Sequence, residues 1–166
     1  MKHVTLIFVT LFIFLVSFVD KDNIFTGYGV GDKAPDFTLP SMTEVYTPLS
    51  LRSFQGEYVL LSFWAAYDAR SRERNVQLNR AVAQMEKPIK MVSISFDEYR
   101  SVFCETIQRD QLNPSICWVD VHGQNSPIYK RYRLNRGFKN FLLDPQGVII
   151  AKNVDAEELA SLTSGR

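Results

Sequence analysis

The stretch "EYVLLSFWAAYDARSR", Glu57 to Arg72, decides how this chain folds. Glu57 to Ala65 form a nearly continuous apolar run after Gly56, which suits a strand buried on both faces. At Asp68 the pattern changes. Leu78, Ala81, Val82 and Met85 recur at i, i+3, i+4 and i+7, with Arg70, Arg74, Asn75 and Arg80 among the polar positions, so Asp68 to about Met85 reads as an amphipathic helix. A buried strand therefore gives way to a surface helix, with its turn at Ala66 to Asp68.

Working outward, "IKMVSISF" (Ile89–Phe96) follows Pro88 as the next strand, and Tyr99 to Asp110 as the next helix. "GFKNFLLD" and "GVIIAKN" are strands joined across "DPQG", Asp144 to Gly147, a Pro- and Gly-containing turn of hairpin length. Asp155 and Glu158 form a capping-box-like pair opening a short last helix. Upstream, "DFTLP" (Asp36–Pro40) reads as a short strand and Ser41 to Ser53 as a turn-rich connection. The order is a parallel βαβ unit, then a hairpin and a helix. This predicts an α/β chain with the layout of a thioredoxin fold, a central mixed sheet flanked by helices.

Composition permits such a fold and narrows its partners. The 166 residues are 46% hydrophobic and 22% charged, enough for one domain with a proper core. The formal net charge of +1 gives no broad field for nucleic acid, so no nucleic-acid partner is expected. The two cysteines, Cys104 and Cys117, and two histidines, His3 and His122, form no closely spaced ligand cluster, and no metal site is expected. Lys2 precedes the uncharged stretch Val4 to Val19, and charge returns at Asp20. Residues 1–22 therefore read as a signal peptide or, if uncleaved, a membrane anchor; 23–33 as a linker; and 34–166 as the domain, held outside the cytoplasm.

The segments "GDKAPDFTLP", "LSLRSFQGEYVLLSFWAAY", "VSISFDEY" and "FLLDPQGVIIAKN" together resemble the TlpA/ResA-like branch of the thioredoxin superfamily, grouped with the AhpC/TSA domains. The resemblance runs from about Val30 to the C-terminus. It implies a thiol-disulfide oxidoreductase scaffold without a cofactor. In that family a Trp-Ala pair and two further residues precede Cys-x-x-Cys-Arg. Here Trp64, Ala65, Tyr67 and Arg72 match, but Asp68 and Ser71 stand at the two cysteine positions.

Neither replacement performs the family reaction, in which a thiolate at a helix N-terminus attacks a disulfide and a second thiol resolves the product. A carboxylate forms no mixed disulfide, and Ser71 has no evident activating base. Asp68 nevertheless suits the helix, as an N-cap and as an anion at the positive end of the dipole. The family's cis-proline is missing too: Phe138 or Lys139 stands at its place, and a trans connection is the default.

Cys104 and Cys117 leave three readings open: a structural disulfide, a relocated redox pair, or two free buried thiols. The cations Arg70, Arg72, Arg74, Arg136 and Lys139, with Tyr67 and Phe138, define a possible binding edge where the family holds its active site, for an anionic group or a protein partner. A solvated helix face is the plain alternative. The expectation is a redox-inactive extracytoplasmic binding or assembly module. The alternative is an oxidoreductase acting through Cys104 and Cys117 or with a partner.

Overall fold

The structure is a computed structural model describing residues 25–40, 48–85 and 89–164. The leader or anchor read at residues 1–22 lies outside them, as do residues 41–47 of the turn-rich connection.

The strand and helix expected around Asp68 are β3 (Val59–Trp64) and α1 (Ala69–Ala83). Every residue of β3 is buried, because β3 lies at the centre of a five-stranded sheet ordered β5-β4-β3-β6-β7. Its neighbours are β4 (Lys90–Ser95), parallel, and β6 (Asn140–Leu143), antiparallel. The edges are β5 (Cys117–Val119), parallel to β4, and β7 (Ile149–Lys152), antiparallel to β6. A separate ribbon pairs β1 (Thr38–Leu39) with β2 (Leu49–Ser50). Helix α2 (Arg100–Arg109) joins β4 to β5, a short α3 (Pro127–Arg131) precedes β6, and α4 (Ala156–Ser164) ends the fold.

Strand alternation sends side chains to two faces. Val59, Leu61 and Phe63 pack with Ile128, Tyr132 and Leu134 from the α3 region. Leu60 meets Leu78 of α1 and Leu159 of α4, and Trp64 meets Phe103 of α2. The hairpin turn forms as expected. Asp144 Oδ1 accepts the amides of Gln146 and Val148, both at 2.9 Å, and Gly147 takes φ +80°, a conformation that glycine adopts at little cost. Asp155 caps α4, accepting from the Glu158 amide at 2.8 Å.

Two expectations are corrected. Residues 25–33, read as linker, are built into the domain: the Gly31 amide donates to Ile149 O at 2.8 Å, and Lys33 bridges to both Thr26 and Val148. Cys117 lies in a third parallel strand that the element order expected from the sequence does not contain. β5 is only three residues long, too short for its period to show in the sequence.

Candidate functional site

The turn between β3 and α1 is held by its own backbone and two carboxylates. Asp68 is the N-cap of α1: its Oδ1 accepts the Ser71 amide at 2.7 Å. The buried Ser71 hydroxyl donates to Asp68 O at 3.1 Å and accepts from the Ala65 amide at 3.4 Å. Both Asp68 and Ser71 are thus engaged with the first turn and its approach. Beneath them lies Asp97, 3% exposed, whose two oxygens accept the Ala66 amide at 3.0 and 3.1 Å and whose Oδ2 also takes the Ser95 hydroxyl at 2.5 Å. Asp97 was not singled out from the sequence. The Ser-Phe-Asp ending of an apolar strand was the available signal, since a carboxylate at a buried strand end needs donors nearby.

Beside this turn an exposed tyrosine sits on a cluster of buried and half-buried aromatic rings. Tyr67, 64% exposed, lies 6.2 Å from Phe138, which in turn stacks on Phe96 at 6.1 Å and meets Tyr129 edge-on at 6.1 Å. Burial pushes the phenols of both Tyr67 and Tyr129 up; Tyr129, Asp97 and Asp68 add to this for Tyr67, and Asp68 for Tyr129. No cis peptide bond occurs among the described residues, so the connection through Phe138 and Lys139 is trans. A cavity of about 640 Å³ opens beside Tyr67 towards α2, walled by Ala66, Asp97, Glu98, Tyr99 and Gln124. Its second exposed aromatic is Tyr99, 70% exposed.

The cations expected to converge here do not. Arg72 is engaged by Asp110 at the end of α2 through Nε–Oδ2 and Nη2–Oδ1 contacts, both 2.6 Å. That fork holds the Asp110 carboxyl below its ordinary range and raises the guanidinium of Arg72. Arg70 is exposed on α1. Lys139 turns away from Asp68, its Nζ donating to Arg133 O at 3.2 Å, and burial together with Lys152, Arg136 and Arg133 pushes its ammonium down. Consecutive residues in extended chain face opposite ways, so Phe138 joins the turn while Lys139 leaves it. An anion site at the turn is therefore not assembled.

The cysteines remain apart as well. Both thiols are free, Cys104 exposed on α2 and Cys117 buried in β5, so the disulfide considered from the sequence is not formed. Burial pushes the Cys117 thiol up to about 11, partly offset by Ser93. A thiol so placed carries little thiolate at neutral pH. Among the described residues no group of acids, histidines or cysteines is arranged to hold a metal ion.

Comparison with known proteins identifies the family and the fold. Residues 30–152 match the AhpC/TSA family. The thiol-disulfide oxidoreductase ResA of Oceanobacillus iheyensis is 27% identical over 152 residues, 89% of this chain and 76% of that protein. A thioredoxin-like protein from Parabacteroides distasonis superposes with a TM-score of 0.72 at 44% identity, over 84% of this chain and 97% of the other. A thiol-disulfide oxidoreductase from Bacteroides fragilis superposes with a TM-score of 0.66 at 30% identity, over 80% and 98%. With the match spanning the domain and the strand order above, the chain belongs to the AhpC/TSA family and carries the thioredoxin-like fold of thiol-disulfide oxidoreductases.

Proposed function

We propose that this domain is a redox-inactive member of its family, held outside the cytoplasm, that binds a partner protein along the edge formed by Tyr67 and Phe138. The observation that carries the reading is the state of Asp68 and Ser71: both are spent on the first turn of α1 and its approach. What remains at the edge is surface suited to recognition. Tyr67 and Tyr99 offer rigid amphipathic rings flanking a cavity, and aromatics of this kind supply large contact area at low entropic cost. The location outside the cytoplasm rests on Lys2 followed by the uncharged stretch Val4 to Val19.

A disulfide-reduction assay on three proteins tests this reading. The wild type is expected to be inert, as is Cys104→Ser/Cys117→Ser. Asp68→Cys/Ser71→Cys is expected to gain activity, because the helix N-terminus that lowers a thiol pKa is still in place. Wild-type turnover that disappears in the Cys104→Ser/Cys117→Ser variant would overthrow the proposal in favour of a relocated redox pair.

A further inference from the structure

Two of the cations missing from the turn, Arg136 and Lys139, gather with Arg133 and Lys152 beside the hairpin. Arg133 lies over the ring of Tyr28 at 4.7 Å, and Lys152 lies over the same ring at 5.1 Å and over Phe141 at 5.6 Å. Lys139 reaches the carbonyl of Arg133 and is close enough to Lys152, Arg136 and Arg133 for all three to act on it. Register explains the convergence: Lys152 pairs with Phe141, two residues from Lys139, so the two lysines share a sheet face. Arg133 takes the left-handed conformation, φ +51°, ψ +48°, uncommon for a residue with a side chain. Among the described residues none of these four cations forms an ion pair with a carboxylate. Like charges held together without a counter-charge destabilise a fold, so the cluster calls for an outside anion.

What that anion belongs to is indicated by the segment beneath the cluster. Tyr28 sits in residues 25–33, where Phe25 is 74% exposed and Val30 64% exposed. The segment's one acid, Asp32, is turned inward and accepts the Gly29 amide at 2.8 Å. In the sequence, the uncharged stretch Val4 to Val19 ends six residues before Phe25. Exposed apolar side chains beside unpaired cations are the composition of an interfacial lipid contact, in which rings and aliphatic groups enter the headgroup layer and cations meet phosphates.

We propose that the face bearing Tyr28, Arg133, Arg136, Lys139 and Lys152 docks on anionic phospholipid headgroups. The inference rests on the reading of residues 4–19 as a membrane-directed segment, and it orients the domain with this face towards the bilayer.

The test uses the full chain reconstituted in lipid nanodiscs of phosphatidylcholine alone or with phosphatidylglycerol, with lysine acylation rates read by mass spectrometry. In anionic discs Lys139 and Lys152 are expected to react more slowly by roughly fivefold, with Lys90 as the unaffected reference. High salt, or Arg133→Gln/Arg136→Gln, is expected to abolish the protection. Equal rates in the two lipid compositions overturn the docking while leaving the membrane-directed segment standing. A chain that enters neither disc removes that segment's reading and the docking with it. Protection by inorganic phosphate in phosphatidylcholine discs without protection by phosphatidylglycerol also overturns the proposal, assigning the cluster to a free anion.

Discussion

Two charged regions lie on this domain, and they are built on opposite terms. At the β3–α1 turn, the ionised groups that shape the site are answered from within: Asp68 by the Ser71 amide, Asp97 by the Ala66 amide and Ser95, Arg72 by Asp110. At the hairpin, Arg133, Arg136, Lys139 and Lys152 meet rings, one carbonyl and each other. Satisfied charge at the first region holds the geometry of the strand-to-helix turn. Unanswered charge at the second is a cost to the isolated domain, and selection tolerates such costs where a ligand offsets them.

Substitutions sharpen or break this contrast. The largest effect is expected at Asp97. Asp97→Ala removes the acceptor of a half-buried amide and a buried hydroxyl, and urea unfolding should register a loss of about 3 kcal/mol. A loss below 1 kcal/mol would mean that water replaces the carboxylate and that the turn is looser than its hydrogen bonds suggest.

Next comes the fork between the helices. Arg72→Met leaves Asp110, only 13% exposed, without its partner, and should cost about 2 kcal/mol at neutral pH. The pH dependence carries a sign. Because Arg72 holds the folded Asp110 carboxyl below its ordinary value, the stabilisation is complete above the unfolded pKa of about 4 and fades as pH falls through the lower folded value. The wild type should therefore lose stability more steeply than Arg72→Met below about pH 4. Parallel acid limbs in chemical denaturation would show that the fork contributes nothing.

Asp68→Ala, which strips the N-cap, should cost about 1 kcal/mol, and Asp68→Asn much less, since an amide oxygen caps nearly as well. Equal losses in the two variants would point to the charge rather than the cap. The smallest effect, with the opposite sign, is expected at the hairpin: Arg136→Gln should leave stability unchanged or raise it by about 0.5 kcal/mol. A clear loss there would reveal an internal counter-charge and would dissolve the contrast. Thiol labelling gives a separate check. Cys104 should react with iodoacetamide in the folded protein at pH 7, whereas Cys117, buried and pushed up to about 11, should react only on unfolding.

Much of this architecture is legible in the chain. The run from Glu57 to Ala65, the helical period after Asp68 and the Pro-Gly turn at Asp144 to Gly147 each report a local preference, and the observed elements follow them within two residues, except that β6 begins at Asn140, three residues into its expected strand. Asp68 as a cap was equally legible, because capping depends on residues three apart. β5 and the docked segment 25–33 were not: their order comes from strands they pair with, such as β4 for Cys117 to Val119 and the hairpin for Gly31 and Lys33.

The division at the site has the same cause. The sequence by itself determined that thiol chemistry is absent from the β3–α1 turn, since Asp68 and Ser71 are matters of residue identity. Only the tertiary structure decided where the charges go. Arg72 finds Asp110 across 38 residues of chain, Asp97 reaches Ala66 across 31, and Phe138 and Lys139 part company at the end of one strand. Charges compact in sequence are parted by side-chain alternation and matched by helix packing, and neither operates until the chain has folded.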